Sequence, residues 1–573
     1  MNEPNSPFNK FILESAEQYI QTVVLIDDRI FEHKTGRIAQ RLKKPSGLGR
    51  KPALKSVHDI SDEIEKTTEI STVDEEPNEI SFQDVQTSFA KKRIICSLYQ
   101  PKKSASFSDR SDVYNLCSTS DVIIVDWEIY GDAGQKATEL VGSLIETSMK
   151  DIPHQLRLIL IYTLEMNLLM VANEVYEDLK RRIGAVAINI EEDSEGLVLI
   201  TENARVVVLG KQINKSYPQF SKHFVAANKL AERTIFEFSR LASGLLQSIV
   251  LRGIATLREN NRRILMRFNE NLDLAFMTHR ALLLPDEALT QILPLMTDEL
   301  RAVLEDRFIE GAIGPPSNIE QIVADWCANR WSPGIKTTEF IGPVNPREFA
   351  KEVFCKGLGI KQTYSPPPND KIRNLINCIK EIDGYPFWDN HDKCLKLTEY
   401  LLGNRQQDFC HEKLSSLMSQ RIRYGNVPRK LHLGVILREM GGEGRYLICL
   451  QPLCDSVRLN GQKRPFVFCY LESPNNGKKI THSIVDSKNN LIQLLYKPRI
   501  LNCFISIFTS TTDAMLAVED EKSQFIFIDD NRNEYEWIAE LKPEQAQRAA
   551  EEFGRTLTRV GLTESEWLRL KAK

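Results

Sequence analysis

The chain has 573 residues, which at about 100–200 residues per domain argues for about three to four domains. Hydrophobic residues make up 42% and charged residues 27%, with 74 Lys and Arg against 78 Asp and Glu for a net charge of -4. That balance excludes a uniformly basic nucleic-acid coat and an acidic disordered chain, though not a local basic patch. No apolar run reaches the roughly 18 residues of a membrane span, and the polar start Met1 to Lys10 does not read as a signal peptide. The eleven cysteines are scattered and none forms CxxC, a pattern expected of reduced thiols in the cytoplasm.

In chain order, Thr22-Val-Val-Leu-Ile reads as a buried strand ending in Asp27 and Asp28. Residues 33–92 then form a polar, charge-segregated insertion. Its first part, Lys34 to Lys55, carries eight Lys or Arg and no acid, while Val57 to Asp84 carries ten acids and one Lys. Such a segment reads as a loop whose halves neutralise each other, or as a docking arm for an anionic partner. Four more strands follow: Arg93 to Tyr99, Asp121 to Asp126, Leu156 to Thr163 and Ala204 to Lys211. All are β-branched and nearly continuous, as in strands covered on both faces. Helical spacing at Gly134–Thr147 and Glu165–Arg182 separates the last three, so the pattern predicts a parallel α/β sheet. A short hairpin is expected near Ala185 to Ile200.

From Ser221 to Leu284 the apolar spacing predicts a long helix or two joined helices, with Gly244 and Gly253 as breaks. Further helices are expected over 285–430, interrupted by the Pro-rich Ser365-Pro-Pro-Pro. From 430 the pattern turns to strands, at 431–438, 446–450, 466–470, 491–496, 504–508 and 525–528. A last helix opens at Pro543. The predicted domains are 8–245 with the insertion 33–92, a helical region 246–429, and a β-rich domain 430–573 ending in a helix. The helices after residue 220 are candidates for a homodimer contact.

The residues at the five strand ends are Asp27, Asp28, Asp126, Thr163 and Lys211. In a doubly wound sheet these ends form the ligand crevice, so residues spread over nearly two hundred positions can converge. Clustered carboxylates call for a cation, and a hard divalent ion such as Mg²⁺ suits oxygen ligands. Asp126 would be the nucleophile toward a phosphoryl group, Thr163 a hydrogen-bond donor to it, and Lys211 a charge partner.

At these residues the sequence resembles the receiver domain of two-component response regulators. Val-Leu-Ile-Asp27-Asp28 resembles the family's acidic pair. Val-Ile-Ile-Val-Asp126-Trp-Glu-Ile-Tyr-Gly resembles its phosphoacceptor strand and turn. Ile-Tyr-Thr163 and Leu-Gly-Lys211 resemble its hydroxyl and lysine positions. The resemblance implies a flavodoxin-like five-stranded parallel sheet in the order 2-1-3-4-5, followed here by a helical region and a β-rich C-terminal domain. It also implies a sensor histidine kinase as phosphoryl donor, and a Mg²⁺ ion held by Asp27, Asp28, Asp126 and the backbone carbonyl of Glu128. Two positions depart from the family. Gln212 stands where a proline usually follows the lysine, and Val208 stands at the usual aromatic switch position. With its insertions, the segment looks like the divergent receivers of anti-phage two-component systems such as Detocs, where one receiver buffers phosphate and another is an effector. A signalling or buffering role is expected. The alternatives are a phosphorylation-gated effector with an enzymatic or toxic C-terminal half, and a degenerate receiver that only docks a partner.

Weaker signals are read plainly. His279 lacks the acid and proline spacing of a kinase phosphorylation box and reads as a structural or surface histidine. Arg258 to Arg267 is a basic helical face, read as solvated rather than nucleic-acid binding. Asp513 with Asp520-Glu521-Lys522 reads as no nuclease site, because no strand is expected there. Cys454, Asp455 and Arg458 form the best effector candidate, and their plainer reading is a buried Asp–Arg pair at a strand end.

Overall fold

The computed structural model describes residues 6–31, 81–150, 155–191, 194–212, 220–283, 292–306, 316–330, 345–355, 370, 411–424, 427–474, 480–487 and 489–557. Most of the charged insertion and the Ser365-Pro-Pro-Pro segment lie outside these residues. Contacts divide the chain into two compact units, 1–279 with 291–403, and 280–290 with 404–573.

The first unit opens with helix α1 (Pro7–Tyr19), which the strand and helix patterns do not predict. Ser6 accepts from the Asn9 amide and Pro7 fills the first turn, a favourable start for a short helix. Strand β1 (Thr22–Ile26) follows. The residues before the second strand were expected to belong to the insertion; instead they form helix α2 (Phe82–Lys91). Ser81 caps the Asp84 amide at 3.1 Å, and Val85 and Phe89, four residues apart, turn inward together. Then come β2 (Ile95–Tyr99), α3 (Asp112–Thr119), β3 (Val122–Val125), α4 (Gln135–Lys150), β4 (Arg157–Thr163) and α5 (Leu168–Ile183). The expected hairpin is present as β5 (Asn189–Ile190) and β6 (Val198–Ile200), ahead of β7 (Ala204–Lys211) and β8 (Phe224–Val225).

The strands lie in the order β2-β1-β3-β4-β7-β6-β5, with β8 also paired to β7. The first five are parallel, as the sequence predicts. Strand β6 joins β7 antiparallel, so the hairpin adds two strands to the five, and β8 is the eighth. Alternate residues feed opposite faces, as strand geometry requires. Val24, Ile26, Ile123, Val125 and Ile159 pack beneath α3, α4 and α5. Val23, Leu25, Val122, Ile124 and Leu158 pack beneath α1, α2 and the later helix α6 (Leu230–Leu241). One strand departs from expectation. β2 is an edge strand rather than one covered on both faces, and its Ile95 is 69% exposed.

The stretch from Ser221 is broken more often than predicted. After β8 and α6, helix α7 (Leu245–Arg267) starts directly after Gly244, the predicted break. Gly253 is no break; it lies buried within α7. The first half of α7 packs on α1, where Arg252 donates to Ser15 Oγ at 2.8 Å and Glu14 at 3.0 Å. Arg258, read as part of a solvated basic face, instead forks onto Asp121 at 2.9 and 3.1 Å. Helices α8 (Asp273–Ala281), α9 (Ile292–Val303), α10 (Pro316–Arg330) and α11 (Pro346–Ala350) follow. His279 is exposed on α8, as the plain reading requires.

In the second unit, helix α12 (His411–Ser419) precedes strands β9 (Val435–Glu439), β10 (Tyr446–Cys449), β11 (Lys463–Glu472), β12 (His482–Val485), β13 (Leu491–Tyr496), β14 (Cys503–Thr509), β15 (Val518–Glu519), β16 (Phe525–Ile528) and β17 (Glu534–Glu540). They form one antiparallel sheet, β12-β13-β11-β10-β9-β17-β16-β15, with β14 on β11. Helix α13 (Pro543–Leu557), opened by Pro543 as predicted, lays Ala546 and Ala549 on one face of that sheet. An aromatic cluster of Phe466, Phe468, Phe508, Phe527 and Tyr535 fills the other face. Strands β12, β15 and β17 are not among the predicted ones.

Candidate functional site

Because β1, β3, β4 and β7 run parallel, their C-terminal ends share one edge of the sheet. Two hydrogen bonds carry the ladder just past the strands: the Asp126 amide donates to Ile26 O at 2.8 Å, and the Asp27 amide donates to Tyr99 O at 3.3 Å. They fix the first carboxylates beside each other. Thr163 closes β4 in register with Gly210, one residue before Lys211. All five strand-end residues are buried: Asp27, Asp28, Asp126, Thr163 and Lys211.

Lys211 Nζ lies 2.7 Å from Asp27 Oδ2 and 2.9 Å from Asp126 Oδ2. It also sits 5.7 Å from the centre of the Tyr162 ring. Asp27 Oδ1 accepts from the Arg29 amide at 2.8 Å, and Asp28 Oδ2 accepts from the Tyr130 amide at 2.6 Å. Oxygens of Asp27, Asp28 and Asp126 lie within 4.8 Å of one another. Burial pushes the Asp126 carboxyl up to about 6; the Lys211 ammonium pulls against this, and the neighbouring Asp27 adds to it.

Two carboxylate oxygens, Asp28 Oδ1 and Asp126 Oδ1, are buried without a hydrogen-bond partner among the described residues. A buried acceptor left unpaired costs about 1–3 kcal/mol, and more when charged. The donor set is all oxygen, the orphaned atoms belong to two of the three clustered carboxylates, and the Lys211 ammonium with the half-exposed Arg29 guanidinium, 3.9 Å from Asp28 Oδ1, cannot neutralise three acids. The residues therefore fit a hard divalent cation.

Thr163 Oγ1 accepts from the Glu165 amide at 3.0 Å, which leaves its own O–H free to donate. Glu128, whose carbonyl the resemblance names as a metal ligand, has an exposed side chain between the buried Trp127 and Ile129. Val208 is fully buried in β7, and its carbonyl lies 3.2 Å from His223 Nδ1. Gln212 is exposed just beyond the strand.

The loop after β3 contributes residues that the sequence reading passes over. Asp132 Oδ1 accepts from the Ile129 amide at 3.0 Å, and its Oδ2 accepts from the Lys136 amide at 2.8 Å. It thus folds the loop and caps α4 at once. Gly134 has φ +82°, and a Cβ there would fall inside the Trp127 ring. The Asp-x-Gly spacing before a helical pattern is the signal that points to this turn.

The effector candidate fares differently. Cys454 and Asp455 lie on an exposed 3₁₀ turn (Leu453–Asp455), and Arg458 is exposed at φ +61°. The expected burial of Asp455 and Arg458 is not observed, since both side chains are exposed. A cavity of about 800 Å³ in this unit is bounded instead by residues such as Glu439, Arg445, Tyr470, Phe504 and Tyr535. Asp520 is a turn residue between β15 and β16, where its carboxylate accepts from the Lys522 and Gln524 amides. The predicted strand β16 follows it and the unpredicted β15 precedes it, but the carboxylate is spent on the turn.

Parallel strand order, a buried acid cluster and a lysine at the same sheet edge define a receiver fold. The family described as response receiver domain matches residues 19–216. The match is confined to that segment, and it supports a phosphoacceptor role of the response-regulator kind there. A comparison with curated proteins found no match.

Proposed function

We propose that the chain takes a phosphoryl group on Asp126 from a sensor histidine kinase, with Mg²⁺ held by Asp27, Asp28, Asp126 and the Glu128 carbonyl. The observation that carries this reading is the pair of orphaned oxygens on Asp28 and Asp126 beside a lysine already bridging Asp27 and Asp126. The ion would supply positive charge to the carboxylates and to the incoming phosphoryl oxygens. An Asp126 oxygen attacks phosphorus, the P–O bond forms, and the P–N bond to the donor imidazole breaks with its electron pair going to the imidazole. Lys211 has three N–H donors and spends two on Asp27 and Asp126, so one remains for a phosphoryl oxygen. The Thr163 hydroxyl donates to another.

On this reading residues 8–245 form the enlarged receiver, 246–429 a helical region and 430–573 a β-rich domain, in a cytoplasmic protein. Among the described residues no helix is long and apolar enough to cross a membrane. The insertion and the Val208 and Gln212 departures support a divergent receiver, and the resemblance to anti-phage systems supports a signalling or phosphate-buffering role there. The test is uptake of label from the phosphorylated kinase or from a small phosphoryl donor. Asp126→Asn is expected to abolish Mg²⁺-dependent uptake; normal labelling of that variant would overturn the assignment.

A further inference from the structure

The second half of α7 leaves the body of its unit. From Asn261 onward its residues are mostly exposed, and no residue of α8 is buried. These segments are not polar. Leu265, Met266 and Leu274 are 70%, 73% and 80% exposed, and Phe268, Leu272 and Met277 are uncovered with them. Helix α9 lies against the end of α7, where Arg267 pairs with Glu299 at 2.8 Å, yet its Ile292, Leu293, Leu295 and Met296 are exposed too. Helices of about a dozen residues or fewer are marginal in water and owe their stability to a covered apolar face. A contiguous patch above a few hundred Å² is rare on a monomer.

Charge indicates what covers the patch. The α7 end carries Arg262 and Arg263, both exposed. The α9 segment through residue 306 carries Asp298, Glu299, Glu305 and Asp306 against Arg301 alone. Arg267 with Glu299 and Arg301 with Glu305 are paired within the chain, so the charges offered to a partner are Arg262 and Arg263 on one stretch and Asp298 and Asp306 on the other. A two-fold axis brings each stretch of one copy against the opposite stretch of the other, with no net repulsion between the arms. We propose that the α7–α9 arm is the homodimer interface of this protein, its occupant being the same arm of a second copy.

This proposal is independent of the phosphoacceptor reading, because the arm is described without reference to Asp126. Sedimentation of the unphosphorylated full chain, over a hundredfold range of concentration, is expected to show a monomer–dimer equilibrium. L265D with L274D should abolish the dimer. R262E with R263E should weaken it by about tenfold or more at low salt, and adding D298R and D306R in the same chain should restore it. That charge exchange keeps the test decisive if the apolar variant fails to fold. A wild-type chain that stays monomeric throughout, or a dimer indifferent to both sets of variants, would overturn the proposal; a monomer would mean that a different protein covers the arm.

Discussion

Replacing Lys211 by Met should expose the electrostatic cost stored in the receiver. The lysine is the buried cation of the cluster, bridging Asp27 at 2.7 Å and Asp126 at 2.9 Å, and all three side chains are buried. Removing one partner of a buried pair typically costs about 3–5 kcal/mol, because the remaining charge is left uncompensated. Each factor of ten is about 1.36 kcal/mol, so the opening constant should rise by about a hundredfold to a few thousandfold. The pH dependence has a definite sign. Asp126 is already held up to about 6, above the ordinary carboxylate value of 3.8, so ionising it costs the folded state as pH rises through that window. Without Lys211 the cost grows, and it is relieved only when Asp126 is protonated. Losing the ammonium lifts the Asp126 carboxyl above about 6 in the variant, so the difference between variant and wild type should grow as pH rises above about 6 and level off below it. The assay is hydrogen exchange by mass spectrometry on peptides of β1, β3 and β7, in chelator and then with Mg²⁺. Mg²⁺ should protect the variant more than the wild type, since the ion would replace the lost positive charge. Equal exchange of the two proteins in chelator at pH 8 would refute the account.

Gly134→Ala should disturb the loop after β3, since both the left-handed φ and the Trp127 ring oppose a Cβ. Overpacking costs about 1–3 kcal/mol, with a further cost for the positive φ, and the result should be a changed Trp127 environment and weaker Mg²⁺ binding, read by near-ultraviolet dichroism and calorimetry. Glu191 offers an acid test. Burial alone would raise its carboxyl, but hydrogen bonds from Arg205 and Arg240 hold it down to about 2. A depressed folded value gives stability that is full above the ordinary value of 4.5 and is lost as pH falls toward 2. Acid melts of the full chain should show that loss, and Glu191→Gln should flatten it; an unchanged acid profile would count against the network.

The receiver was legible because three signals agree: apolar runs, their alternation with helical spacing, and polar residues at the run ends. Parallel topology then forces those ends together, so Asp27, Asp126 and Lys211 meet without any local motif joining them. Local geometry was harder to read. Asp132 looks like an ordinary turn residue, and nothing in sequence shows that its two oxygens hold different amides. Helix α2 merges with the charged insertion in sequence because few apolar residues, Phe82, Val85 and Phe89, mark its inner side. In the second unit β17 escaped notice because Glu534, Glu536 and Glu540 interrupt its apolar residues. Yet Glu540 is buried and held by Arg421 at 2.7 Å and by Arg423. Charge pairing at a distance of more than a hundred residues leaves no local trace.

The hairpin β5–β6 gives the receiver sheet a direction. It occupies the flank of β7 and ends in a two-residue strand, too short to template another. The opposite border is β2, five residues long, whose only strand partner among the described residues is β1. Among the described residues, the β2 side is therefore the flank with a full-length strand open to pairing. The described sheet thus has a short flank and a long one, and a peptide ligand added by strand pairing to the long one would lie beside Ile95 and Ser97.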